Sequence, residues 1–252
     1  MNTLWHIELS HYNEKARWAL DYKGVPYERK VPMPGLHGAS AMIATRGKQR
    51  RLPVLELEGR RIGDSTDIIA ALEAHTPEPP LYPADPAERA RALDLEEFFD
   101  EQLGPEIRRF GWHHMLGDGD AASRALFRGA SPGRARLMQF TFPVARVMTK
   151  RDYAIDTDSD AAPRAAILAA MDRLEAELDG GDYLAGDSFS VADLTAASLF
   201  TPIVRPPERP FLPAESMPAL DAFGAELVAR PGGQWILDTY RRHRGAYVGA
   251  AA

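Results

Sequence analysis

The stretch "ELSHYNEKARWAL", residues 8–20, decides how the chain is read. It has the pattern of a strand end, a tight turn and a helix. Ser10-His11-Tyr12-Asn13 occupy the turn, where a reactive cysteine pair would be sought. The chain has no cysteine. Disulfides, thiolate metal sites and a protein thiol nucleophile are therefore excluded, and any chemistry at this turn has to work without protein sulfur.

Outward from the turn, "TLWHIEL" alternates as a strand, with Trp5, Ile7 and Leu9 on one face and Leu4, His6 and Glu8 on the other. "NEKARWALDYKG" follows as a helix, with Ala16, Ala19, Leu20 and Lys23 at helical spacing and Gly24 as its stop. "PYERKVPM" is a second strand, followed by an irregular or helical crossover. "LPVLELEG" and "RRIG" form a hairpin about Glu58-Gly59. "DSTDIIAALEAHT" is a helix started by Asp64 or Ser65. This order predicts a small α/β domain over residues 1–76.

The proline-rich segment 77–86 reads as an extended linker. No convincing strand follows it, so residues 87–252 are expected to form an all-helical domain. "AERARALDLEEFFDEQL" is a helix that Gly104-Pro105 should stop. "RAAILAAMDRLEAELDGG", "MPALDAFGAELVAR" and "GQWILDTYRRHR" are further helices. The stretch from Phe140 to Pro163 reads as a long loop, and "TPIVRPPERPFLPAES" as a proline-rich one.

Composition excludes several classes. A formal net charge of −6 argues against a broad nucleic-acid surface, which needs clustered Lys and Arg. No stretch approaches the ~20 apolar residues that span a bilayer. The first residues lack the basic start of a signal peptide, so a cytoplasmic protein without a membrane or nucleic-acid partner is expected. Asp156, Asp158 and Asp160 have calcium-loop spacing. Ala161 stands where Gly is required, however, and Ile167 where the bidentate Glu should be. No metal site is expected.

Four signals remain. Ser10 is a favoured N-cap, while Tyr12 and Trp18 read as packing residues and Lys15 and Arg17 as solvated ones. Leu52-Pro53 opens a strand and is open to a cis bond. Asp64-Ser65 caps a helix whose free N–H groups suit a carboxylate, with an acid beside them for an ammonium, as a free amino-acid end would need. Ser190-Val191-Ala192-Asp193 is a capping box, with a folding role.

In this order the signals resemble the cytosolic glutathione S-transferases: a thioredoxin-like α/β domain, a linker and an all-α domain. Ser10, Lys15 and Arg17 match the family's Ser-or-Cys and Lys-x-Arg spacing, and Leu52-Pro53-Val54 its cis-proline segment. Asp64-Ser65 matches its γ-glutamyl-binding pair, and "FSVAD" its capping box. His11 departs from the usual proline. The resemblance implies a transferase with glutathione as co-substrate. Ser10 would stabilise the thiolate. Val54 would offer its backbone to the cysteinyl unit, and Asp64 and Ser65 would hold the γ-glutamyl end. Arg51, or else Lys48, would face the glycine carboxylate. Tyr12, Phe110, Trp112 and His113 would line the pocket for a small apolar electrophile, in a homodimer. A non-catalytic binding protein, or an isomerase or dehalogenase that uses glutathione as cofactor, is the alternative.

Overall fold

The computed structural model describes residues 1–33, 37–117, 132–155, 160–211, 216–245 and 248–251. Strand β1 (Asn2–Trp5) leads into α1 (His11–Tyr22), then β2 (Tyr27–Lys30), α2 (His37–Ala44), β3 (Val54–Leu57), β4 (Arg60–Gly63) and α3 (Ser65–His75). The sheet order is β4-β3-β1-β2-β5. β1 runs parallel to β2 and antiparallel to β3, with Trp5 opposite Val54, and Val54 in turn opposite Gly63. The end of β1, the start of β3 and the end of β4 thus meet at one end of the sheet. Ser10, Pro53 and Asp64 all follow or precede those strand ends by a few residues.

β1 stops at Trp5, short of the strand expected to reach Leu9. The reason lies in α1. The Asn13 side chain accepts from the Ile7 N–H at 3.0 Å. Arg17 donates to the carbonyls of Ile7 and Glu8 at 3.3 and 3.1 Å. Backbone groups that would have extended a ladder are satisfied by helix side chains instead.

The helical part contains α4 (Pro86–Phe98), a π turn (Phe99–Leu103), α5 (Gly104–Gly117), α6 (Pro132–Asp152), α7 (Ala161–Leu178), α8 (Val191–Val204), α9 (Pro218–Val228) and α10 (Pro231–His243). Gly104-Pro105 does not stop a helix as expected; the chain turns through it. The π turn bonds the Gly104 N–H to the Phe99 carbonyl. The next bond in that register would need an N–H on Pro105, which has none. The Asp100 carbonyl is left over, and the Tyr12 hydroxyl donates to it at 2.6 Å. Gly104 serves close approach, since a Cβ there would lie 2.1 Å from the Tyr12 hydroxyl oxygen.

Much of the stretch expected to be a loop from Phe140 to Pro163 is helical. α6 continues through Pro143, which it presents on an exposed position. Asp156 and Asp158 of the acidic run lie outside the described residues. α6 turns Phe140, Val144, Val147 and Met148 to solvent at helical spacing.

α8 runs through the core, buried along nearly its whole length, and packs against α1. Its capping box is present: Asp193 accepts from the N–H and the hydroxyl of Ser190, each at 2.8 Å, and from the Leu184 N–H at 2.8 Å. The linker is held by Lys23, which donates to the carbonyls of Pro77 and Pro79 at 3.1 and 2.6 Å.

A strand follows the helices after all. β5 (Ala250–Ala251) pairs in parallel with β2. Two alanines carry no strand pattern in the sequence; the open edge of β2 supplies the partner. The approach is fixed by Arg244, whose Nε donates to buried Glu14 at 2.7 Å, and by Asp21, which accepts from the Val248 N–H at 3.0 Å.

Candidate functional site

Ser10 is the N-cap of α1, with extended backbone (φ −75°, ψ 131°). Its Oγ accepts from the Asn13 amide nitrogen Nδ2 at 2.7 Å and more weakly from the Asn13 N–H at 3.5 Å. Both contacts use the oxygen's lone pairs, so the hydroxyl hydrogen is left to donate. Asn13 is fully buried. Its Nδ2 also reaches the Leu52 carbonyl at 3.3 Å, next to the cis Leu52-Pro53 bond. One side chain therefore ties the strand end, the turn hydroxyl and the start of β3. Asn13 was passed over in the sequence because a helical Asn beside a Ser cap carries no local mark of this role.

The N-terminus of α3 lies at the same end. Asp64 is its N-cap and accepts from the Thr66 N–H at 3.0 Å. Its φ of 74° is in the region that favours glycine. A non-glycine residue held there costs about 1–3 kcal/mol and persists where the surroundings impose it, often at binding sites. Ser65 is buried, and its hydroxyl has no partner among the described residues. Lys48 and Arg51 are exposed on the loop before β3. Gln49 pins that loop beside Asp64: it donates to the Arg51 carbonyl at 3.1 Å, and a Cβ on Gly63 would lie 1.8 Å from its nitrogen.

Lys15 and Arg17, expected in solvent, are fully buried. Lys15 bonds Asp100, Glu96 (2.8 Å) and Thr66 (3.0 Å), joining α1 to α3 and α4. Burial alone would lower its pKa, but Asp100 and Glu96 raise it overall. Arg17 donates to Glu14 at 2.8 Å and to His6 Nδ1 at 2.8 Å. Burial would raise Glu14, yet Arg244 and Arg17 hold it below the ordinary carboxylate range. These charges form the floor under the turn and do not face the site. Arg209, from the proline-rich loop, is buried and donates to the Leu9 carbonyl at 2.8 Å, just before Ser10.

The residues across from Tyr12 come from α5 and from Tyr153, just past α6. The guanidinium of Arg108 lies 5.9 Å from the Tyr12 ring centre and 4.7 Å from that of Tyr153. Trp112, one turn further along α5 on the same face, stacks on Tyr153 at 6.3 Å. Phe110 lies instead in the helical core, 1% exposed against Phe223, because that position faces the other side of the helix. His113 packs edge-on against His114. Burial raises the Tyr12 pKa, and its hydroxyl hydrogen is already committed to Asp100. Arg108 was missed in the sequence; only its spacing from Trp112 could have marked it.

His11 Nε2 is 3.0 Å from the Gly104 carbonyl, to which the neutral ring donates. Burial, then Arg108 and Arg209, pull its pKa down to about 3. Burial and then Arg17 pull His6 down to about 2. Both folded values lie below the unfolded ~6.5, so each neutral ring stabilises the fold above pH 6.5 and that stability is lost as pH falls. Each histidine is expected to remove about 2 kcal/mol between pH 6.5 and 5. Urea unfolding of wild type, His6→Gln and His11→Gln over that range checks this; equal slopes in all three would contradict it.

Among the described residues no cluster of acidic and histidine side chains could hold a metal ion, and no helix is long and apolar enough to cross a membrane. The family model for the glutathione S-transferase N-terminal domain matches residues 4–80, and that for the C-terminal domain residues 137–231. FtsZ-localized protein A of Caulobacter vibrioides is 27% identical over 206 residues, 78% of this chain and 74% of that protein. Glutathione S-transferase U4 of Arabidopsis thaliana is 29% identical over 96 residues, 38% of this chain and 42% of its own length, so that match spans less than half of either. A glutathione S-transferase structure from Rhodospirillum rubrum F11 superposes with a TM-score of 0.57 at 24% identity, covering 94% of this chain and 92% of the other, a likeness of fold. With both domain models matched in the order in which the fold presents them, the chain belongs to the glutathione S-transferase family.

Proposed function

We propose that this protein binds glutathione where the N-termini of α1 and α3 meet and transfers it to a small electrophile. The observation that carries the reading is the orientation of Ser10: Asn13 occupies the oxygen, and the hydrogen is left for a thiolate. A hydrogen bond to a charged group contributes about 1.5–3 kcal/mol, or one to two pKa units at ~1.36 kcal/mol each. A thiol near ~8.5 would then be substantially ionised at neutral pH. Asp64 would receive the α-ammonium and Ser65 the α-carboxylate of the γ-glutamyl end. The backbone of Val54, beside Leu52-Pro53, would take the cysteinyl unit, and Arg51 or Lys48 the glycine carboxylate. Residues 1–76 would supply this side, and residues 87–252, across the linker 77–86, the electrophile side. A homodimer and a cytoplasmic setting complete the proposal; light scattering on the purified protein reads the first.

Calorimetric titration with glutathione, then with its S-alkyl form, tests the reading. Wild type should bind both. Ser65→Ala should raise the KM for glutathione with a smaller change in kcat, because the γ-glutamyl end is remote from sulfur. Unchanged affinity in Ser65→Ala and in Asp64→Ala would remove the assignment. A second reading, a partner-binding protein on the same fold, is favoured by the longer alignment with FtsZ-localized protein A. Absence of binding at millimolar glutathione would select it. Glutathione returned unchanged or oxidised would select a cofactor role instead.

A further inference from the structure

Arg108 is half-buried where α5 faces the Ser10 turn, and it forms no ion pair with any described carboxylate. None of the acids nearest it in sequence is paired with it. Asp100 is paired with Lys15, Glu106 sits 3.3 Å from Arg109, and Glu101, whose charge reaches Tyr12, is exposed and forms no ion pair with Arg108. Among the described residues, the groups facing Arg108 from other elements are Tyr12, His11 and Tyr153, and none of these supplies a negative charge. The Tyr12 hydroxyl donates to a carbonyl, and His11 is neutral and bonded to Gly104. A guanidinium lying over ring faces keeps its N–H edge available for a planar, bidentate acceptor. A partly desolvated cation without a counter-charge is unfavourable, and an anion at this edge would relieve it.

We propose that Arg108 is the binding site for an anionic group on the second substrate. The electrophile is then a carboxylate or a similar planar anion, not the apolar molecule expected from the sequence. Tyr12 and Trp112 cover its ring, and its anionic end rests on Arg108. As a statement about substrate class it rests on the transferase reading; the anion site itself does not. In the probe reaction the glutathione thiolate attacks the chlorine-bearing carbon of a chloronitrobenzoate. A C–S bond forms, the C–Cl bond breaks, and chloride leaves with its electron pair. The carboxylate is unchanged throughout.

The test compares a chloronitrobenzoate with the matching chloronitrobenzamide, which differs in charge and little in shape. The ratio of their kcat/KM values should favour the benzoate by about tenfold or more. Arg108→Gln should bring the ratio near one, Arg108→Lys should keep part of it, and exposed Arg136→Gln on α6 should leave it as in wild type. Calorimetric titration with the benzoate in the absence of glutathione is run on the same proteins. Benzoate binding lost in Arg108→Gln supports the anion site even if glutathione does not bind, in which case only the transferase reading fails. Benzoate affinity and ratio unchanged in Arg108→Gln would overturn the inference. So would a loss of glutathione affinity in Arg108→Gln without a change in the ratio, since Arg108 would then serve the thiol side.

Discussion

Replacing Lys15 by methionine is expected to destabilise the protein by about 3–5 kcal/mol, the size found when one partner of a buried ion pair is removed. Lys15 is the only cation bonded to both Glu96 and Asp100 among the described residues, and its side chain is fully buried. Without it, two carboxylates from α4 and the π turn share a dry site with the Thr66 hydroxyl. For a chain of this size the loss corresponds to a fall in Tm of about 10 °C. The effect should reach function because the same residues join α1 and α3, the two helices at whose N-termini glutathione binding is proposed. The sign of the pH dependence follows from the raised pKa of Lys15. Its stabilising contribution is fully present below the unfolded value of ~10.4 and is lost only as pH rises through the folded one. The triple variant Lys15→Met/Glu96→Gln/Asp100→Asn should recover most of the stability, because no unpaired charge remains. A loss below about 1 kcal/mol in Lys15→Met would show that the carboxylates find other compensation.

Ser10→Ala should raise the titration of enzyme-bound glutathione thiol by one to two units, followed as thiolate absorbance in the ultraviolet. Tyr12→Phe should leave that titration nearly in place. Its hydroxyl bonds the carbonyl that Pro105 leaves without a donor, so its loss orphans a buried acceptor and should lower stability by about 1–3 kcal/mol. The two variants thus separate on two readouts, one electrostatic and one structural. If Tyr12→Phe moved the thiol and Ser10→Ala did not, Tyr12 would be the activating group and Ser10 only a helix cap. If neither moved it while glutathione still bound, the backbone N–H groups of α1 would hold the thiolate. Asn13→Ala should fall between wild type and Ser10→Ala, since the hydroxyl would remain but lose the contacts that orient it.

What residues 8–20 determined by themselves is the helix capped at Ser10; the strand end expected at Glu8-Leu9 was not there, since β1 stops at Trp5. The hairpin around Glu58-Gly59, the capped start of α3 at Asp64 and the box of Ser190 and Asp193 were legible in the same way. Each rests on backbone hydrogen bonds closed within a few residues, so the neighbouring side chains carry the whole signal. Lys15, Arg17, Tyr12 and Arg108 were not legible. The first two have the residue types of a solvated helix face, and their burial depends on Glu96 and Asp100, more than eighty positions away, or on Glu14 held in turn by Arg244 from the far end of the chain. The direction of the Ser10 hydroxyl depends on Asn13 being drawn to Leu52. The turn through Gly104-Pro105 needed the Tyr12 hydroxyl, from the N-terminal domain, to satisfy the Asp100 carbonyl. Whether a charge is desolvated, and what compensates it, is set by partners that only the folded chain brings within 3 Å. For that reason the sequence alone determined the family and the local turns and caps, and the tertiary structure decided the buried charges and the placing of Arg108 against the Tyr12 and Tyr153 rings.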